Sequence, residues 1–272
     1  MDRECPLVSG GTPVVTLEGV RKAFRDVPVL RGVDLTVAKG DTFTILGGSG
    51  SGKSVCLKHM IGLLEADAGR VLIEDRDVTH LSERGWVAER KRFGMVFQGA
   101  ALFDSLSVFE NVAYPIREHR NDPEERVRER VRTCLASVGL AGIEELVPAE
   151  LSGGMRKRVG VARAIALEPA VMLYDEPTTG LDPANARRIG RLIRQLQQEL
   201  GVTSVVVTHD MELCHAVSDR IALLRGGRIV VEDAAAKLAD GRHPEMRAFL
   251  EGTHEALPPS IEEQAEEDSS HV

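Results

Sequence analysis

The stretch Gly47-Gly48-Ser49-Gly50-Ser51-Gly52-Lys53-Ser54 constrains this chain more than any other. It satisfies G-x-x-x-x-G-K-[S/T] at every fixed position, the pattern of a nucleotide phosphate-binding loop. A polyphosphate needs many N–H donors converging on one point. Glycines let the backbone curl around the anion, because without a Cβ they accept unusual φ and ψ. A helix that follows aims its first N–H groups at the same anion. Lys53 supplies a point charge for the β- and γ-phosphates, and the Ser54 hydroxyl is a ligand for Mg²⁺. Such a loop requires a buried strand before it and a helix behind it. Thr42 to Leu46 reads as the strand, and Val55 to Leu64 as the helix, with Leu57, Met60, Ile61 and Leu64 on one face.

Similar alternation continues along the chain. Val14 to Val20, Val29 to Val37, Arg70 to Glu74 and Arg92 to Phe97 read as strands, and Ser82 to Arg90 as a helix. Val171-Met172-Leu173-Tyr174 and Ser204 to Thr208 read as central parallel strands buried on both faces. Ala184 to Leu200 and Met211 to Val217 read as helices, and Arg220 to Leu224 with Arg228 to Glu232 as a hairpin. Between Gln98 and Leu167 no strand signal occurs. Val127, Val131, Cys134, Leu135 and Val138 recur there at helical spacing, after a start at Asp122-Pro123, and Met155 to Leu167 is a further helix. The expected fold is α/β: a mostly parallel core sheet, an antiparallel β subdomain and an inserted helical subdomain. The expected division is a flexible leader over 1–13, the first part of the core over 14–98 and the helical subdomain over 99–167. The second part of the core covers 168–232, a helical extension 233–254 and an acidic, disordered tail 255–272.

Charge argues against one class of partner. The net charge is −8, but Glu255, Glu262, Glu263, Glu266, Glu267 and Asp268 lie in a tail without Lys or Arg. The remainder carries 36 acids and 34 bases, so no basic domain stands out and no nucleic-acid partner is expected. Cys5, Cys56, Cys134 and Cys214 form no C-x-x-C pair. The last three sit in helical patterns as small apolar residues, which fits a reducing compartment. The N-terminus lacks the pattern of a signal peptide, and no run of about 18 apolar residues is present to span a bilayer.

Polar residues stand at the ends of the predicted strands. Leu46 leads into the loop, Phe97 into Gln98, Tyr174 into Asp175 and Glu176, and Thr208 into His209. Ligands bind at the carboxyl ends of strands in open parallel sheets, so these groups are expected to converge. Asp175 suits an acid that holds Mg²⁺ through water or Ser54. Glu176, expected to point the other way along the strand, suits a general base for an attacking water. Gln98 can orient that water or contact Mg²⁺, and His209 can donate to the γ-phosphate. Ser152-Gly153-Gly154, opening a helix, makes a second anion cradle or a plain helix cap. Phe24 either stacks on an adenine ring or packs under the loop.

Taken together, the loop, Gln98, Leu151-Ser152-Gly153-Gly154, Asp175-Glu176 and His209 resemble the nucleotide-binding subunit of ABC transporters, in family order across roughly residues 14 to 232. The resemblance implies an ATP hydrolase using Mg²⁺. It implies a head-to-tail dimer in which ATP lies between one copy's phosphate loop and the partner's Leu-Ser-Gly-Gly segment. Phe24 then matches the adenine-stacking aromatic. Gly47 through Ser54 with Val55 line the nucleotide, Ser152, Gly153 and Gly154 hold the γ-phosphate of the other site, and Gly180-Leu181-Asp182 links the two. Catalysis falls to Glu176, His209, Gln98 and Lys53, and the metal to Ser54, Gln98 and Asp175. Phe97 to Ser105, Val108 to Pro115, Met155 and Met246 to Gly252 are similar to the Mla branch, ATPases of MCE-type phospholipid transporters. That implies a peripheral subunit on the cytoplasmic face of a bacterial inner membrane, partnered by an integral permease and an MCE-domain lipid-binding protein. Gly48 and Val55 depart from the family's usual Pro and Thr, beside ligand groups rather than among them. The alternatives are an importer of a polar solute such as an amino acid, or a soluble ABC ATPase acting on DNA or ribosomes. Neither long coiled-coil insertions nor a second cassette is present to support the last.

Overall fold

The computed structural model describes residues 11–238 and 243–251. Cys5, most of the leader and the acidic tail lie outside them. In chain order the elements are β1 (Pro13–Phe24), β2 (Val27–Ala38), β3 (Thr42–Leu46), α1 (Lys53–Met60), β4 (Ala68–Ile73), β5 (Arg76–Asp77), α2 (Glu83–Arg90) and β6 (Phe93–Val96). Three helices follow: α3 (Val108–His119), α4 (Glu124–Ser137) and α5 (Gly153–Ala164). Then come β7 (Val171–Asp175), α6 (Pro183–Leu200), β8 (Thr203–Thr208), α7 (Met211–Val217), β9 (Arg220–Arg225), β10 (Arg228–Ala234), α8 (Ala235–Leu238) and α9 (Pro244–Leu250).

Two sheets form. The first is antiparallel, in the order β2-β1-β4-β5. Its leading hairpin turns at Arg25 and Asp26, both left-handed with φ of 44° and 70°, the geometry that matches strand twist in a two-residue turn. The second runs β10-β9-β3-β8-β7-β6, with β9, β3, β8, β7 and β6 parallel and β10 closing one edge antiparallel. The fold is therefore the expected α/β arrangement, with a parallel core sheet and an antiparallel sheet beside it.

Alternation along the central strands sorts side chains between two cores. Met172, Tyr174 and Val206 join the cluster of α3 to α7, with Val112, Ile116, Leu135, Val159 and Ile193. Val171, Leu173, Val205 and Val207 join the opposite cluster, with Phe43, Ile45, Leu57 and the antiparallel sheet. Each fully buried side chain of this size contributes roughly 1.5–3 kcal/mol. A one-residue slip would exchange the two sets, so packing fixes the register.

Several boundaries differ from the sequence reading. The helix behind the loop begins at Lys53 rather than Val55 and ends at Met60, because Gly62 turns the chain with a φ of 62°. A Cβ on Gly62 would lie 2.1 Å from the Trp86 ring. Residues 99–167 contain three α-helices, a short 3-10 turn at Pro148–Glu150 and no strand, and α3 is the α-helix that periodicity did not single out. Cys56, Cys134 and Cys214 are buried, and burial pushes their thiols up to about 12, 11 and 11. Among the described residues no helix is long and apolar enough to cross a membrane.

Candidate nucleotide-binding site

The loop emerges between the two strands that flank β3. Gly47 N–H donates to the Thr208 carbonyl at the end of β8. A Cβ on Gly47 would stand 2.6 Å from both the Leu224 carbonyl and Ser51 Oγ, so only glycine fits there. Gly52 has a φ of 100°, and its missing Cβ would lie 2.8 Å from Leu30 of β2. The antiparallel sheet thus walls the loop, whereas Gly48 meets nothing within 4 Å. Gly48, Ser49 and Gly50 are exposed. Ser51 Oγ is buried without a hydrogen-bond partner.

Helix α1 opens without a capping side chain. By contrast α2, α3, α5, α6 and α7 are capped by Ser82, Ser107, Ser152, Asp182 and Asp210. The first amides of an α-helix lack intrahelical partners and carry the positive end of its dipole. An uncapped, glycine-led start beneath a curled loop suits a phosphate.

Around this opening the strand ends bring side chains together. Lys53 Nζ donates to the Gly47 and Gly48 carbonyls, both at 2.9 Å, and lies 3.2 Å from Glu176 Oε1. Ser54 Oγ donates to Asp175 Oδ1 at 2.7 Å. His209 Nδ1 stands 3.0 Å from Glu176 Oε2, which also accepts from Thr179 Oγ1 at 3.4 Å. Burial raises the Asp175 pKa first of all; the Ser54 hydrogen bond works against that and neighbouring Glu176 adds to it. A cation at Ser54 and Asp175 would offset that burial. Both are hard oxygen donors, which suits Mg²⁺ completed by phosphate and water oxygens.

One geometric expectation is corrected. Strand alternation does not aim Glu176. β7 ends at Asp175, and Glu176 has left the strand with a φ of 43°. Its side chain therefore turns toward Lys53 and His209, while Asp175 reaches Ser54 on the same loop.

Other residues from the sequence reading stand apart. Gln98 lies exposed beyond β6, and its carbonyl accepts from buried Lys157 Nζ. Phe24 sits at the hairpin tip beside β2, half-buried against the core, with Lys22 Nζ 5.8 Å from its ring centre. Ser152 is exposed and caps α5, its Oγ accepting from Met155 N–H at 3.2 Å. A Cβ on Gly154 would lie 2.7 Å from Asn185 Oδ1, and Asn185 donates to Asp182 Oδ2 at 2.6 Å. The Ser-Gly-Gly turn is thereby packed on the loop at Gly180-Leu181-Asp182. Among the described residues, no hydrogen bond or ion pair joins 152–154 to 47–54.

Sequence reasoning missed Asn111 and Lys157. Asn111 is fully buried and bonds the backbone of Phe103, Leu106 and Ser107. The available signal was a polar residue on the apolar face of Val108, Val112 and Ile116. Lys157 carried no such signal, because one lysine within Arg156-Lys157-Arg158 looks like solvated surface.

Known proteins are similar to this chain in sequence and fold. The ABC transporter family profile matches residues 30–179. The chain is 37% identical over 238 residues to the probable ribonucleotide transport ATP-binding protein Mkl of Mycobacterium tuberculosis, covering 88% of this chain and 66% of that protein's length. It is 41% identical over 220 residues to the intermembrane phospholipid transport ATP-binding protein MlaF of Haemophilus influenzae, covering 81% and 83%. It is 42% identical over 219 residues to the methionine import ATP-binding protein MetN of Rhizobium johnstonii, covering 80% and 60%. The dimeric ATP-binding cassette MJ0796, solved with ADP and phosphate, superposes with a TM-score of 0.75 at 32% identity, over 81% of this chain and 98% of that one. The chain belongs to the ABC transporter family.

Proposed function

We propose that this chain is the ATP-hydrolysing subunit of an ABC transport system, dimerising on ATP to drive a separate membrane permease. The observation that carries this reading is Glu176, held between Lys53 and His209 at the mouth of the glycine loop. In this reading Gly47 to Val55 hold the phosphates through backbone amides and Lys53, and Phe24 stacks on the adenine. Ser54 and Asp175 would hold Mg²⁺, with Gln98 brought in from its exposed position beyond β6, and the metal would supply positive charge for the phosphates. Glu176 accepts the proton of the attacking water. His209 orients the Glu176 carboxylate and reaches the γ-phosphate. Ser152, Gly153 and Gly154 serve the partner's nucleotide, which agrees with their separation from the loop within one chain. ATP stabilises the closed dimer, and loss of the γ-phosphate removes that stabilisation.

Glu176→Gln tests the chemistry. It keeps the hydrogen-bonding shape and removes the base. The expected result is a stable ATP-bound dimer on size exclusion, with turnover reduced at least ~10²-fold. Ordinary turnover in that variant would remove Glu176 as the base.

For cargo, we propose phospholipid moved between bacterial envelope membranes, with the chain peripheral on the cytoplasmic face of the inner membrane and an MCE-type protein in the assembly. Support comes from the likeness to MlaF and from the segment after Gln98. That segment exposes Phe103 and Tyr114, their ring centres 5.0 Å apart and tilted 50° to each other, as an aromatic patch for a membrane partner. The likeness to MetN is equally high, which favours a second reading: import of a polar solute such as an amino acid. Pull-down from membranes, with mass spectrometry of proteins and lipids, separates the two. Co-purified MCE protein and phospholipid support the first, and a solute-binding protein the second.

A further inference from the structure

Helix α5 lies along the segment that leaves β6 and holds it at three points. Lys157 Nζ donates to the Gln98 carbonyl. Gly160 leaves room for Ala100, whose carbonyl would lie 3.4 Å from a Cβ there. Arg163 donates to the Ala101 and Ala100 carbonyls at 2.7 and 2.9 Å. The held segment is unusual. Ala100 and Ala101 have φ of 62° and 47°, a left-handed conformation that alanine keeps only when its surroundings impose it.

Lys157 does one thing more. Its ammonium also donates to the Glu176 carbonyl at 3.4 Å, and Glu176 is itself left-handed. The side chain is 6% exposed, and among the described residues it has no carboxylate at ion-pair distance. Burial lowers its pKa, and the nearby Asp175 and Glu176 charges act against that shift. Such a group is costly to bury, and an apolar residue would fill the space without that cost. What an apolar residue could not do is bind two carbonyls from different strand ends at once.

We propose that Lys157 is a positioning residue that ties the backbone at Gln98 to the backbone at Glu176. A partner that displaces the segment 98–103 then also shifts Glu176 against Lys53 and His209. The inference rests on the reading of Glu176 as general base and adds the part that aims it. Lys157 Nζ bonds the Gln98 and Glu176 carbonyls and no atom of the phosphate loop.

The test uses the full chain with Lys157→Met, which keeps the apolar stem and removes the donors, and Lys157→Arg, which restores them. Three quantities are measured: ATP turnover, affinity for a fluorescent ATP analogue, and amide hydrogen exchange. The amides that report are Ala100 N–H, bonded to the Phe97 carbonyl, and Thr179 N–H, bonded to the Glu176 carbonyl. In Lys157→Met, kcat is expected to fall about tenfold while nucleotide affinity changes less than about twofold. Both amides should lose protection together relative to the core amide of Val206, and Lys157→Arg should recover most of both effects. Unchanged kcat overturns the proposal, as does protection lost at one segment alone. Equal loss of affinity and kcat also overturns it, because that marks general unfolding. A parent chain without turnover would sink the base assignment, and the paired exchange result would still decide whether the clamp exists.

Discussion

Asn111 shows how one side chain can fix a loop that carries function. Its amide accepts from Phe103 N–H at 2.8 Å and donates to the Phe103, Leu106 and Ser107 carbonyls at 3.0–3.1 Å. This shapes the turn that places the exposed Phe103 beside Tyr114. Asn111→Ala should cost about 2–3 kcal/mol, because several buried backbone groups lose their partner at once. Urea unfolding checks it, and a loss under ~1 kcal/mol would mean that water replaces the amide. Residues of this kind were only partly legible in the sequence. Lys53, Ser54, Asp175 and His209 could be found because motif and strand-end position together restrict them. The direction of Glu176 could not, because it depends on a single left-handed φ that no side-chain pattern records. Lys157 was hidden for a related reason: its burial comes from α5 lying against the segment after β6, a contact made 59 residues away in sequence.

Among the elements, helix starts divide into capped and open ones; α4 and α9 open without a capping side chain as α1 does, but only α1 opens beneath the glycine loop. α3 is capped by Ser107, whose Oγ accepts from Glu110 N–H at 3.1 Å. Ser107→Ala should lower stability by about 1 kcal/mol in urea unfolding and leave nucleotide affinity unchanged. A drop in affinity of more than about threefold would show that α3 is tied to the loop more directly than its packing suggests. α1 has no cap to lose, and its open start is the part that a phosphate would complete. The long amphipathic pattern of α6 was plain in the sequence, and Asp182 at its cap agrees with the usual rule. α3 was less plain, because Pro115 and Asn111 interrupt its apolar stripe. Strands β1, β2 and β4 of the antiparallel sheet were legible, but the two-residue β5 was not, and neither was the sheet's place against Gly52, since a single missing Cβ decides that contact.

For the whole molecule, the shared-site reading gives the phosphate loop and the Ser-Gly-Gly turn different nucleotides to serve. Ser152→Arg should abolish hydrolysis in the assembled dimer while nucleotide binding to the isolated chain persists. Isothermal titration of the monomer beside a turnover assay of the assembly makes the comparison. Equal loss in both would place Ser152 in its own chain's site and end the shared-site reading. The order of strands in the core sheet also has a consequence for how the chain is made. β3 lies between β8 and β9, pairing Thr42 with Ser204 and Phe43 with Arg220. Neither neighbour exists until the ribosome has added about 160 further residues, a delay on the order of 10 s at usual synthesis rates. The antiparallel sheet has its strands by residue 77, and α3 to α5 are complete by residue 164. The glycine loop, though encoded early, can meet the antiparallel sheet soon after synthesis, whereas its support from the core sheet waits until β8 and β9 arrive.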